Sequence, residues 1–151
     1  DADAAVLGAG VAGAAAAKAL AERGWKTVLI DRGAFPRHKV CGEFLSPEAA
    51  RTLDGLGLDD AVAALNPGAV VKARLIFGAG EPLDVPLPGT AAGISRYALD
   101  AALHRAALDA GAQVRTGTTV TAVVPEAFGY RVTWRSGKTN ETLSVRAVID
   151  A

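Results

Sequence analysis

Apolar positions follow two rhythms along this chain. Ala4–Leu7 is a short unbroken apolar run and Lys26–Ile30 ends in another, while Val11–Arg23 between them repeats small apolar residues at helical spacing. Unbroken apolar runs fit strands buried on both faces of a parallel sheet, and Gly24 stands where a left-handed residue closes a helix. The chain therefore opens strand, helix, strand. Gly33–Ser46 loses periodicity around Pro36 and a basic cluster and reads as a loop. Ser46-Pro47-Glu48 then joins a capping hydroxyl to a proline at the first helical position, starting a helix that runs to Leu56. Asp59–Leu65 is a further short helical stretch, and Ala69–Phe77 and Leu83–Leu87 alternate like strands. Arg96–Ala110 is the second strong helix, with Leu99, Leu103, Ala106, Ala107 and Ala110 on one face and Gly111 as its stop. Gln113–Val124, Tyr130–Arg135 and Thr142–Ile149 read as strands, the last two joined around Ser136-Gly137-Lys138.

The junction between the first strand and the first helix carries the first chemistry. Gly8, Gly10 and Gly13 form G-x-G-x-x-G there, a spacing that permits a tight turn, lets a pyrophosphate approach the backbone and packs helix against strand. The helix start adds free N–H groups and the positive end of a dipole. Asp31 ends the second strand, at the separation where a carboxylate accepts hydrogen bonds from both hydroxyls of an adenosine ribose. It would face a ribose 2′-phosphate as a like charge, which disfavours NADP at this site. The pattern serves FAD and NAD alike, since both present the same ADP half. It predicts an α/β, Rossmann-like nucleotide-binding fold, with a central parallel sheet flanked by helices and an additional antiparallel β-meander.

Composition removes several classes. The 151 residues are 50% hydrophobic, enough for one domain with a real core, and 16 basic residues balance 16 acidic ones. No global field then favours nucleic acid. Cys41 is the sole cysteine, and His38 and His104 lie far apart, which leaves neither a disulfide framework nor a local metal-ligand cluster. A reducing, cytoplasmic setting is the expectation. The apolar start follows acidic residues rather than basic ones, so a secretory signal is not expected there, and the run is too short to span a bilayer. Methionine is absent throughout, so the chain is expected to be part of a longer one.

The segment PRHKVCGEFLSPEAA, Pro36–Ala50, resembles the P-R-x-K-x-C-G-x-x-L-S-P stretch of the geranylgeranyl reductase family. That family lies within the para-hydroxybenzoate hydroxylase-type group of FAD-dependent oxidoreductases. Gly93–Val123 is similar to the family's I-x-R-x-x-x-D-x-x-L helix and the strand behind it, and Ala147–Ala151 to the start of its V-I-x-A-D-G segment. The resemblance implies an FAD/NAD(P)-binding fold in which residues 1–151 are the N-terminal FAD-binding part of a longer flavoprotein. It implies that Gly8, Gly10 and Gly13 hold the FAD pyrophosphate and Asp31 the adenosine ribose, with Arg32 beside it. Arg96 would lie near the phosphates and ribityl chain, and the backbone of Val120 against the adenine. The loop at Cys41 and Gly42 would lie beside the isoalloxazine, with Arg37, His38 and Lys39 supplying positive charge and Cys41 as the candidate catalytic residue. Glu43 departs from the family's commoner second glycine.

The expected function is that of an FAD-dependent oxidoreductase. The first reading is a reductase that passes hydride from reduced flavin to a carbon–carbon double bond of an apolar or isoprenoid-like small molecule, with NAD(P)H as electron donor. The second is a monooxygenase that hydroxylates or halogenates its substrate. The third is a dinucleotide-binding module without chemistry. Neither a nucleic-acid partner nor a metal is expected, and the setting is cytoplasmic with peripheral membrane contact by the full-length protein.

Overall fold

A computed structural model describes residues 2–151. The chain runs β1 (Ala4–Leu7), α1 (Val11–Glu22), β2 (Thr27–Ile30), β3 (Phe44–Leu45), α2 (Pro47–Gly55), α3 (Asp59–Ala63), β4 (Gly68–Leu75), β5 (Leu83–Gly93) and α4 (Arg96–Asp109). It continues through β6 (Gln113–Arg115), β7 (Thr119–Glu126), β8 (Gly129–Ser136), β9 (Thr139–Val145) and β10 (Ala147–Asp150). The central sheet is parallel in the order β10-β1-β2-β6, with Val6 opposite both Leu29 and Ile149. Two antiparallel sheets flank it, one in the order β3-β5-β4 and one the meander β7-β8-β9. The expected α/β architecture is thus present. Among the described residues no helix is long and apolar enough to cross a membrane.

The two inner strands of the central sheet, β1 and β2, are apolar at nearly every position because both their faces are covered. On one face Val6 and Leu29 pack with Ala14, Ala17, Leu103 and Ala107 of α1 and α4. On the other, Ala5, Val28 and Ile30 meet Val132, Trp134 and Val145 of the meander. Truncating a fully buried leucine such as Leu29 to alanine would cost about 2–5 kcal/mol. Ser46 and Ser95 each accept from the backbone N–H three residues on, capping α2 and α4.

Four expected boundaries differ. Gln113–Val124 is two strands, not one: at Gly117, with φ +65°, the chain leaves the parallel sheet for the meander, and Thr118 N–H donates to the Asp31 carbonyl at 2.9 Å. Thr142–Ile149 likewise divides at Arg146, where the N–H groups of Arg146 and Ala147 both donate to the Asp3 carbonyl. Both divided runs keep a strand-like composition because each half joins a sheet, so alternation alone does not mark the crossing. The loop Gly33–Ser46 contains β3, a short addition to the edge of β5. β5 also runs well past Leu87 to Gly93, accommodating Pro86 and Pro88.

Candidate dinucleotide-binding site

The three glycines of the β1–α1 turn do different work. Gly8 has φ +100°, and a Cβ there would overlap the Ala151 carbonyl oxygen. A Cβ on Gly13 would overlap the Gly8 carbonyl oxygen, so this glycine sets how closely α1 sits on β1. Gly10 is different. Its φ of −74° suits any residue, and an added Cβ would lie 3.4 Å from Lys39 Nζ and 3.6 Å from Arg96 Nη2. The start of α1 has no side-chain cap and no acidic residue in its first turn. Backbone N–H groups without intrahelical partners and two cations therefore converge on the one glycine whose lost side chain leaves room rather than relieving a clash.

Asp31 is 7% exposed. Its Oδ2 accepts from Ala9 N–H at 2.8 Å, and its Oδ1 accepts from Gly33 N–H at 2.6 Å and faces Arg37 at 3.4 Å. The carboxylate thus ties the glycine turn to the end of β2, and each oxygen keeps capacity for a further donor. Asp31 lines an open cavity of about 360 Å³ together with Gly8, Arg32, Arg37, Val120 and Ala151. Gly8, Asp31, Arg32 and Val120, predicted separately from the sequence, share this one space. Arg37 stacks on Phe35 at 4.7 Å, and its buried Nε has no hydrogen-bond partner among the described residues.

The basic loop folds back over the turn. Each basic residue that the sequence places near Cys41 goes to its own partner: Arg37 to Asp31, Lys39 to Gly10, and the His38 ring to that of Tyr97 at 4.8 Å. Arg96 is the cation that meets Cys41, which is exposed. The Arg96 guanidinium is held above its ordinary pKa first by hydrogen bonding to Asp100, with burial opposing and Cys41 contributing less. Asp100 is fully buried and accepts from Arg96 Nε at 2.9 Å and Nη2 at 3.1 Å. Gly42 has open space around it. Glu43 adopts φ +51°, the left-handed region in which glycine is unstrained, and its carbonyl accepts from Ile94 N–H at 2.9 Å.

Sequence reasoning missed Asp100, His104 and the routing of Arg37. His104 is 7% exposed, and its Nε2 lies 2.5 Å from the Ala9 carbonyl oxygen. Arg96, Asp100 and His104 recur every fourth residue along α4, on the flank of the Leu99–Leu103 stripe. That polar stripe was the available signal, and it faces the glycine turn. The site gathers Gly10, Lys39, Arg96 and Cys41 at one end and Asp31, Arg32, Arg37 and Val120 at the other.

A groove with N–H groups and cations at its centre and a carboxylate at one end suits a pyrophosphate flanked by a ribose. Known proteins agree with that shape. The chain is 35% identical over 133 residues to the menaquinone reductase of Mycolicibacterium smegmatis, covering 85% of this chain and 32% of that protein. It is 32% identical over 152 residues to the geranylgeranyl diphosphate reductase of Rhodobacter capsulatus, covering 99% of this chain and 37% of that one. The chain thus spans about a third of the length of these relatives. Among solved structures, the myxobacterial chondrochloren halogenase CndH, an FAD-dependent halogenase, superposes with a TM-score of 0.86 at 28% identity, over 99% of this chain and 36% of that one. The reductase likeness read from the sequence therefore stands beside an equally near halogenase, and what they share is the FAD-binding part. The family described as "FAD binding domain" matches residues 1–148, and this chain belongs to it.

Proposed function

We propose that this chain holds FAD with its pyrophosphate over Gly10 and its adenosine in the cavity beside Asp31, and that the complete protein is a reductase of an apolar, isoprenoid-like substrate. The convergence of Lys39 Nζ and Arg96 on the open face of Gly10 carries the first part. Arg96, locked by buried Asp100, and Lys39 offset the two phosphate charges, while the start of α1 offers N–H donors. Asp31, Arg32 and the Val120 backbone receive the adenosine. Cys41 and Gly42 lie at the end where the isoalloxazine would rest, with Arg96 favouring negative charge there. Bound FAD supplies hydride transfer and can be reloaded by NAD(P)H. On this reading the exposed Cys41 thiol hands over the proton that completes addition of H⁻ and H⁺ across a double bond.

The reductase reading draws support from the menaquinone reductase and geranylgeranyl diphosphate reductase, which cover most or all of this chain. A monooxygenase reading draws equal support from the halogenase structure. Peripheral contact with a membrane from the cytoplasmic side follows from an apolar substrate. An anaerobic assay of the complete protein separates the two readings, with menaquinone and geranylgeranyl diphosphate as probes and chemically reduced FAD as the electron source. Two hydrogens gained across an isoprenoid carbon–carbon double bond of either probe without oxygen, as distinct from reduction of the quinone ring to the quinol, supports the reductase. Turnover only when oxygen is admitted and consumed replaces it with the monooxygenase.

A further inference from the structure

Ala9 sits between two glycines of the turn, the most flexible place a peptide can be put. Yet both polar groups of Ala9 are held. Its N–H donates to Asp31 Oδ2 at 2.8 Å, and its carbonyl lies 2.5 Å from His104 Nε2. A carbonyl only accepts, so Nε2 carries the proton and His104 is the donor. The ring is fixed in turn: it is 7% exposed and tilted against Phe35, with centroids 4.1 Å apart. We propose that His104 is a positioning residue for the dinucleotide, acting through the Ala9 carbonyl to hold the Gly8–Gly10 turn in its binding shape before FAD arrives.

The geometry gives the reason. The Ala9–Gly10 peptide is planar and trans, so anchoring its carbonyl toward α4 aims the Gly10 N–H the opposite way, away from His104. Asp31 fixes the preceding peptide through the Ala9 N–H. The two bonds together set the turn at a place where the glycines alone would leave it free, and ordering it beforehand removes that cost from binding. The same helix carries Arg96 two turns earlier, so α4 sets the turn and supplies one of the cations over it. This inference rests on the reading that FAD uses the glycine turn, and it adds His104 as a determinant of affinity that does not touch the cofactor.

The test uses the complete protein stripped of FAD, measuring affinity for FAD and separately for ADP. His104→Leu removes the donor and is expected to weaken both about five- to tenfold, by the same factor, as for loss of one neutral hydrogen bond. His104→Gln places an amide N–H near the position of Nε2 and should bind both within about twofold of native. The reduction potential of the bound flavin should not move in either. In the native protein, ¹⁵N shifts of His104 should show the proton on Nε2, a measurement that needs no variant to fold. Native-like binding by His104→Leu, failure of His104→Gln to rescue, or a proton on Nδ1 alone each overturns the proposal. Gly10→Ala serves as control: if it binds FAD normally, the reading of the turn falls and the His104 proposal with it, whereas lost binding there with unaffected His104→Leu sinks the His104 proposal alone.

Discussion

Replacing each glycine of the turn by alanine should separate folding from binding. At Gly10 the backbone is already in an ordinary region, and the new methyl would rest 3.4–3.6 Å from the tips of two flexible cations. Loss of glycine's unfolded-state entropy stabilises by about 0.4–1 kcal/mol, and alanine's poorer capping opposes it by a similar amount. The stability of Gly10→Ala should therefore stay within about 1 kcal/mol of native. Its FAD affinity should fall about 100-fold or more, roughly 2.7 kcal/mol, because the methyl fills the approach of a phosphate to the helix start. Gly13→Ala is the reverse case. Its methyl overlaps the Gly8 carbonyl, so α1 must lift from β1, at a cost of about 3 kcal/mol. Gly8→Ala adds the strain of φ +100° to overlap with Ala151 and should lose as much or more. Thermal unfolding without FAD and fluorescence titration with FAD read the two effects separately. A Gly10→Ala protein that unfolds as readily as Gly13→Ala, or binds FAD as tightly as native, would refute the division of labour.

Three further outcomes follow from individual residues. Asp100→Ala leaves the Arg96 guanidinium, 21% exposed, without its bidentate partner, and should cost about 3 kcal/mol of stability in a denaturant titration while also weakening FAD binding. Glu43→Gly relieves a side chain held at φ +51° and should raise stability by up to about 1 kcal/mol in the same assay, with the Ile94 N–H bond to its carbonyl retained. Asp84, held below the usual carboxylate range by Arg74 first and Lys72 second, stabilises the folded state above its unfolded pKa and loses that contribution as pH falls through its folded one. Asp84→Asn should accordingly flatten the fall in melting temperature on acidification below about pH 4, and an unchanged slope would count against the ion pair.

The elements legible in the sequence were those whose signal is local. β1, α1 and β2 announce themselves because a parallel strand buried on both faces is apolar at every position and a glycine triplet marks the turn between them. The Ser46 helix start is legible as a cap, and Asp31 by its place at the end of β2. What escaped depends on contacts between distant segments. Arg37, His38 and Lys39 are adjacent in sequence, yet they face Asp31, Tyr97 and Gly10, because the loop folds back over the turn with successive side chains diverging. His104 lies 95 residues from Ala9, and nothing in a single sequence links the two. Asp100 was legible as the acidic position of the I-x-R-x-x-x-D-x-x-L helix but with no role attached, and its burial is explained by Arg96 one turn away. The divided strands at Gly117 and Arg146 show the same limit, since a chain passing from one sheet to another keeps its β-rich composition.

The most direct test of the central claim is the structure of the complete protein with FAD bound. The FAD pyrophosphate should lie over Gly10, within hydrogen-bonding distance of the N–H groups at the start of α1 and close to Lys39 and Arg96, with the adenosine ribose on Asp31 and the adenine beside Val120. A pyrophosphate bound away from Gly10, or an adenosine outside the cavity shared by Gly8, Asp31 and Val120, would contradict it.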